Sequence, residues 1–397
     1  MRSIITFFDE RYDGTGMQSI KNVKWYLYQI PFHIGFTTAH GVLAAREGAI
    51  VEITTEDGLS GIGEIAPLPE FAGDNLNTAL APLPMLSAQL CNKTLPAALD
   101  FLYANSHTLP ATTTCGLEIA LLDAFCKHPL VVNRLCSFIN KWVPMVNGVP
   151  VNAVIGAQNI ETAITRAQDT IAAGFHCIKL KMGADPEQEI ARVATIRNAI
   201  GPTIHLRLDA NEAWTLDQAI TILSRCANYD IQYIEQPLPA GDLEGMRKLR
   251  QEVPIPIAAD EAVSDFKSAR RVLDHAAADV LIIKPQLVGG LRAGRQIIHE
   301  AMAHGVQCVI TSAIEAGIGL AGALHLAAAS PEVTLECGLA TLHLLKDDLL
   351  LDDLPIENGI LAVPAGPGLG VRLDRAALAH YTNPRSGGVH LHPADFS

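Results

Sequence analysis

Basic residues are in deficit. Lys and Arg number 29 against 42 Asp and Glu, and the formal net charge is −13. No basic stripe for nucleic acid is available, and non-specific binding to a phosphate backbone is disfavoured. No CxxC pair occurs among the eight cysteines, which stand at 91, 115, 126, 136, 177, 226, 308 and 337. Thiols scattered through a long chain with a large core read as reduced and mostly buried, not as a disulfide framework. No run of about 18 uncharged apolar residues is found, so no transmembrane helix and no membrane partner are expected. The first fifteen residues combine a short apolar piece, Ile4 to Phe8, with Asp9, Glu10 and Asp13. An acidic start of this kind is not a signal peptide, and the expected location is the cytoplasm.

What is present is ample apolar material, 49% of 397 residues, enough for two domains. Residues 1–20 read as an N-terminal extension. Residues 21–145 read as an α+β capping domain, β-rich at first, with an Asp57-Gly58 turn between strand-like runs. From about residue 75 the pattern is helical, and Cys115 to Cys126 is apolar on most faces, as in a buried helix. Residues 146–355 repeat a unit: a short apolar run ending in a polar residue, then a helical stretch. The runs are Val151–Ile155, Cys177–Lys181, Ile204–Asp209, Gln232–Glu235, Ile255–Asp260, Val280–Lys284, Cys308–Ser312 and Val333–Glu336. Their spacing of about 26 residues suits one βα unit with two loops, and eight such units close into a parallel barrel. The fold class is therefore α/β, a modified TIM-type (β/α) barrel with an α+β N-terminal capping domain. Residues 356–397 read as a segment returning to the cap, poorly ordered beyond Thr382.

Catalytic groups of such barrels sit at the carboxyl ends of the strands. There the chain has Lys179-Leu180-Lys181, Asp209-Ala210-Asn211, Glu235-Gln236-Pro237, Asp260-Glu261 and Lys284-Pro285. Residues two apart on a strand point the same way, so Lys179 and Lys181 share the interior face. Asp209, Glu235 and Asp260 end three consecutive strands, and three converging carboxylates repel unless neutralised. Oxygen ligands without His or Cys select Mg2+, with Mn2+ able to substitute. Lysines flank this set on two sides. A lysine near a cation and out of bulk water has its ammonium form disfavoured and can act as a base. The parts of a site that removes a proton next to a carboxylate are all present.

Blander readings compete. A single Asp at a strand end is usually a helix N-cap, and a ring of Lys and Asp at a barrel mouth can be structural ion pairing. Glu261 reads as an ion-pair partner, His205 as a satisfied core histidine and His304 as an unremarkable loop residue. Gly289-Gly290 opens a helix and reads first as a tight βα turn, although it could cradle an anion. A non-catalytic scaffold and a lysine Schiff-base enzyme built on Lys284 also stay open.

Taken together the motifs Lys179-x-Lys181, Asp209-x-Asn211, Glu235-Gln236-Pro237, Asp260-Glu261 and Lys284-Pro285 with Gly289-Gly290 resemble the enolase superfamily, within it the muconate lactonizing enzyme subgroup. That superfamily is a known user of lysine bases with Mg2+. The resemblance spans about residues 20–375. It implies a small-molecule carboxylate substrate, metal ligation by Asp209, Glu235 and Asp260, and Lys181, Lys284 and Lys179 as catalytic lysines. Within the subgroup, Pro31-Phe32 with Gly35-Phe36-Thr37-Thr38, Arg46-Glu47-Gly48, Gly63 to Pro69, and Thr311 to Glu315 with Gly317-Ile318-Gly319 look like the o-succinylbenzoate synthases. The dipeptide epimerases of the subgroup carry an Asp-x-Asp on the eighth strand, where this chain reads Glu336-Cys337-Gly338-Leu339. Racemases of N-succinylamino acids tend to have Arg where this chain has Leu287. The implied reaction is a dehydration in menaquinone or phylloquinone formation. Asn211, Ser312, Ile314, Phe36 and Thr37 are the implied substrate-binding residues, the last two on a loop that closes over the site.

Overall fold

The computed structural model describes residues 16–382 apart from 39–40, 70–73, 141–145, 157–158 and 184. The expectations for residues 1–15 and for the tail beyond Thr382 fall outside the described residues. Ordered structure begins before residue 21: Met17 is buried and Ile20 opens the first strand.

β1 (Ile20–Thr38), β2 (Gly41–Thr55) and β3 (Ser60–Ile65) form an antiparallel meander, with Gly58 in the turn at φ 84°. Pro31 has no amide to donate, and the β1–β2 register shifts between Pro31 and Phe36. Phe36 and Thr37, expected on a loop, instead lie in β1 and pair with Leu43 and Val42. β-Branched residues on both sides favour the extended hairpin. The side chains of Phe36 and Thr37 are outside the described residues.

The helix Ala111–Lys127 is buried from Thr112 to Cys126. It lies so close to β3 that a Cβ on Gly63 would overlap the Gly116 carbonyl. Its two buried acids are anchors. Asp123 accepts from Lys127 Nζ (2.7 Å) and from the amides of Ile62 (2.9 Å) and Leu369 (2.8 Å), tying sheet, helix and C-terminal segment together.

β4 (Gly148–Pro150) precedes seven parallel strands that neighbour one another in sequence order. They are β5 (Ala153–Ile155), β6 (Cys177–Lys181), β7 (His205–Asp209), β8 (Ile231–Glu235), β9 (Ile257–Ala259), β10 (Val280–Ile283) and β11 (Gln307–Ile310). Helices follow each of them, several opened by side-chain caps the sequence supplies: Asn159, Asp185, Thr215, Asp242 and Asp265 each accept an amide of the first turn. The eighth run differs from expectation. No strand forms over Val333–Glu336; closure comes one step later, where Cys337 bridges Val151 and Gly338 bridges Thr311, both in parallel. Gly338 suits that place because a Cβ there would overlap Thr311 Oγ1.

The barrel interior is divided. Tyr233, Ala258, Val280, Ile282 and Val309 pack as a separate apolar cluster. Beside them Arg207, fully buried, stacks on Tyr233 at 4.8 Å. It donates to Gln232 Oε1 (2.6 Å), Asn152 Oδ1 (3.0 Å), Glu336 O (2.6 Å) and Glu336 Oε2 (2.8 Å). This brace holds the weakly paired eighth segment from inside. His205 is not a core residue: it is exposed and pairs with Glu336 Oε1 at 2.6 Å. β12 (Ile356–Glu357) and β13 (Ile360–Ala362) pair with β4. The chain then reaches β1, where Thr382 bridges Tyr28 and Arg375 contacts Glu52. Among the described residues no helix is long and apolar enough to cross a membrane. The cysteines are free thiols, all buried except Cys91.

The Gly289-Gly290 turn does cradle an anion, and the anion is the chain's own. Glu118, fully buried, accepts from the amides of Leu291 (2.5 Å) and Arg292 (3.1 Å), which open the helix Leu291–Ala303, and from Tyr103 Oη (2.9 Å). Burial pushes its carboxyl up to about 7, against the pull of Tyr103, the two amides and Arg292. A folded-state value raised above the unfolded one contributes stability that is full below about 4.5 and lost as pH rises through about 7. Glu118→Gln removes that titration. Urea unfolding of both proteins between about pH 5 and pH 8.5 is expected to show the stability difference moving in favour of the Gln variant as pH rises. A difference that does not change with pH contradicts this account of Glu118.

Candidate active site

Strand register places the site. Lys181 is level with Asp209, and Asp209 with Glu235. Asp260 and Lys284 directly follow β9 and β10. The three carboxylates are at most 4% exposed. The lysine side chains are 13% (Lys179), 25% (Lys181) and 9% (Lys284) exposed, so Lys181 has most access to the mouth.

The structure brings six of the expected residues together, with ammonium groups interleaved among the carboxylates. Lys179 Nζ lies 2.8 Å from Asp209 Oδ2 and 2.5 Å from Glu235 Oε1. Lys181 Nζ reaches the same Asp209 Oδ2 at 2.6 Å, which confirms that the two lysines share the interior face. Across the mouth Lys284 Nζ donates to both oxygens of Asp260 at 2.6 Å. Among the described residues no three His, Cys, Asp or Glu side chains are already gathered as a ligand cluster. Each of these carboxylates is engaged by an ammonium group instead.

Asn211 is held at both ends of its amide. Its Oδ1 accepts from Lys181 Nζ (2.7 Å) and its Nδ2 donates to Glu261 Oε1 (3.0 Å). Glu261 is thus linked to Lys181 through one amide, a chain the sequence did not disclose. Gln236 lies behind, its Oε1 accepting from the amides of Asp260 (2.9 Å) and Ala262 (3.2 Å). The Ser312 hydroxyl accepts from the Ile314 amide (2.9 Å) and meets Thr341 Oγ1 (2.7 Å). Ser312 and Ile314 follow β11, next to β10, the strand that Lys284 follows. Asn211, Glu212, Gln236 and Ile314 all have positive φ (41°, 65°, 35° and 60°). Left-handed backbone at non-glycine residues is costly and concentrates at functional sites; here it gathers in the loops that rim one end of the barrel.

Electrostatics follow from the interleaving. Burial raises the Asp209 carboxyl, but Lys179 and Lys181 overcome it and hold Asp209 well below the usual range. Glu235 is pushed up to about 8 by burial and by Asp209 and Asp260, although Lys179 pulls the other way. Glu261 rises to about 7 through burial and the charge of Asp260. Burial lowers Lys179 and Lys284, yet their carboxylate neighbours more than reverse it, and both are raised above an ordinary lysine. Paired carboxylates thus favour the ammonium form of both, in keeping with roles for Lys179 and Lys284 that rest on their charge.

Arg207 and Glu118 were missed by sequence reasoning. Arg207 had a usable signal, because it shares the inward phase of Asp209 two residues on. Glu118 had none, since the amides it caps lie more than 170 residues away.

A parallel barrel with acid–base groups and carboxylates crowded at the strand ends is the architecture of a barrel enzyme. Residues 162–377, over half of the chain, match the family described as enolase C-terminal domain-like, and residues 20–122 match the MenC N-terminal domain. The chain belongs to the enolase superfamily, in its muconate lactonizing enzyme subgroup, and is an enzyme. It is 37% identical to the o-succinylbenzoate synthase of Thermobifida fusca (strain YX), over 55% of this chain and 68% of that one. Muconate cycloisomerase 1 of Rhodococcus opacus is 30% identical over 92% and 98% of the two chains. The dipeptide epimerase of Enterococcus faecalis V583, solved with Mg and L-Leu-L-Tyr, superposes with a TM-score of 0.83 at 28% identity, covering 89% of this chain and 99% of that chain.

Proposed function

We propose that the enzyme is an o-succinylbenzoate synthase, removing water from 2-succinyl-6-hydroxy-2,4-cyclohexadiene-1-carboxylate in menaquinone or phylloquinone formation. The observation that carries the chemistry is the opposition of Lys181 and Lys284 across a row of buried carboxylates. The similarity to the Thermobifida enzyme and the MenC-type N-terminal domain support the choice of substrate.

The donor set fits a hard divalent cation such as Mg2+, because it is all oxygen, with three buried carboxylates on neighbouring strand ends. Asp209, Glu235 and Asp260 would hold the ion, which when bound supplies positive charge beside the substrate carboxylate. Lys181, held by Asp209 and Asn211, removes the proton on the carbon next to that carboxylate. The ring hydroxyl leaves from the neighbouring carbon and takes that proton back from Lys181, so water departs and the ring becomes aromatic. Lys284, kept cationic by Asp260, faces the anionic ring from the other side. Lys179 keeps the charge of Asp209 and Glu235 balanced beneath Lys181.

Epimerisation or racemisation of N-acylated amino acids needs only the same two lysines and is the competing reading. Glu336, the one acid in the eighth segment's Glu336 to Leu339 stretch, is occupied by the buried Arg207 and by the exposed His205 at the start of β7. It is not free to grip a substrate amine at the mouth, which favours dehydration over dipeptide chemistry. Purified protein is expected to melt at a higher temperature with Mg2+ and a lower one with EDTA. It is also expected to dehydrate the cyclohexadiene carboxylate only with the metal. Racemisation of N-succinylphenylalanine in a polarimeter without any dehydration would replace the proposed substrate while leaving the proton chemistry in place.

A further inference from the structure

Three stretches that look separate in the sequence meet in one clasp between the N-terminal sheet and the barrel. Arg46 of β2 is only 2% exposed. Its guanidinium donates to four backbone carbonyls: Glu47 (2.8 Å), Pro67 (2.6 Å), Ala66 (2.5 Å) and, from Nε, Ile314 (3.0 Å). Glu64, fully buried at the end of β3, accepts from the amides of Ala316 and Gly319, both at 2.8 Å, and from Tyr28 Oη at 2.5 Å. Gln286, two residues after Lys284, donates to the Glu64 carbonyl (2.8 Å) and accepts from the Ala66 amide (3.2 Å). The sheet is thus stitched to the turn after Lys284 and to the segment after β11.

Ile314 is the strained member of this clasp. A β-branched residue at φ 60° is a genuine outlier, kept only where its surroundings dictate it. Its amide is fixed by Ser312 Oγ and its carbonyl by Arg46. Arg46 thus holds one of the two peptide groups that together set where the Ile314 side chain stands.

We infer that Arg46 is a positioning residue for substrate recognition: by holding the Ile314 carbonyl it fixes the apolar wall met by the substrate's succinyl arm on the Lys284 side of the mouth. The inference rests on the proposed function, because it takes Ile314 as a wall of that substrate's site. Arg46 is buried against main chain and touches no reacting atom, so its effect falls on recognition and not on proton transfer.

The test is steady-state kinetics of the Mg2+-loaded enzyme on the cyclohexadiene carboxylate and on N-succinylphenylalanine, for wild type, Arg46→Lys, Ile314→Gly and the double variant. Lysine keeps the charge but cannot reproduce the guanidinium fork. Glycine takes positive φ without strain and removes the wall outright. Arg46→Lys is expected to raise KM for the dehydration substrate about tenfold with kcat within about twofold, as loss of an apolar wall contact does. Both substrates carry a succinyl arm, so the rise in KM is expected on each compound that the wild type turns over. Ile314→Gly should raise KM in the same way, and the double variant should be no worse than the more impaired single one. A fall in kcat with KM unmoved, or additive losses in the double variant, overturns the inference. Should Arg46→Lys show no cooperative unfolding, Ile314→Gly decides alone, and an unmoved KM overturns the inference. A wild type that acts on neither compound overturns the functional reading and this inference with it. Wild-type dehydration with an unmoved KM in the variants overturns this inference alone.

Discussion

Replacing Lys181 by Ala is expected to lower turnover by about 10³-fold or more while leaving the fold and metal binding in place, the upper range for loss of a general base. The geometry explains why the two effects separate. Lys181 is the most accessible of the three lysines, so its truncation opens space toward solvent and not a sealed cavity. Asp209 keeps its second ammonium partner, Lys179, at 2.8 Å. The carboxylate row loses one compensating charge, which leaves its attraction for a divalent cation undiminished. Lys181→Arg sharpens the test, since arginine restores the charge but does not give up its proton near neutral pH. Both variants should melt cooperatively, respond to Mg2+ and lack exchange of the substrate α-proton with deuterated solvent. An arginine variant that recovers turnover would show that Lys181 acts as a charge only, and an active alanine variant would move the base elsewhere.

The residues at this mouth were legible because each closes a strand, and strand ends are where period-two phase and barrel topology both fix direction. Lys181, Asp209 and Glu235 could be aligned from their spacing alone, and the register agrees residue for residue. Two readings failed for one reason: long-range partners outweighed the local pattern. The Phe36–Thr37 stretch looks like a loop beside Gly35 but becomes strand because Leu43 and Val42 pair with it. Val333–Glu336 has the composition of a strand, yet closure falls at Cys337–Gly338, where glycine allows the approach to Thr311 and Arg207 pulls Glu336 inward. The charges that meet at the mouth depend on the fold as well: the carboxylates facing Lys179 and Lys284 raise both above an ordinary lysine. Spacing along a chain gives direction; it does not give the balance of charges met there.

Gly290→Ala is expected to be among the most damaging single substitutions outside the mouth, and Gly289→Ala a mild one, although the two glycines are adjacent and both have positive φ. Gly289 is at φ 94°, ψ 23°, near the left-handed helical region, and a Cβ added there meets nothing within 4 Å. Alanine at Gly289 costs about 1–2 kcal/mol of backbone strain and little else. Gly290 is at φ 117°, ψ −172°, a region essentially closed to other residues. A Cβ there would overlap Glu118 Oε2. That adds about 1–3 kcal/mol of strain. It also displaces the carboxylate that caps the Leu291 and Arg292 amides, at about 1–3 kcal/mol for each buried group left unpaired. Against a total stability on the order of 5–15 kcal/mol the sum is a large fraction. The damage should reach function as well, because the cradle follows Lys284 by six residues and Glu118 is one of the side chains by which the N-terminal domain grips the barrel. Denaturant unfolding of the two variants beside wild type measures this directly, with the midpoint expected to fall several times further for position 290 than for 289. Equal losses at the two positions would mean that backbone conformation alone sets the cost and that Glu118 does not hold the turn.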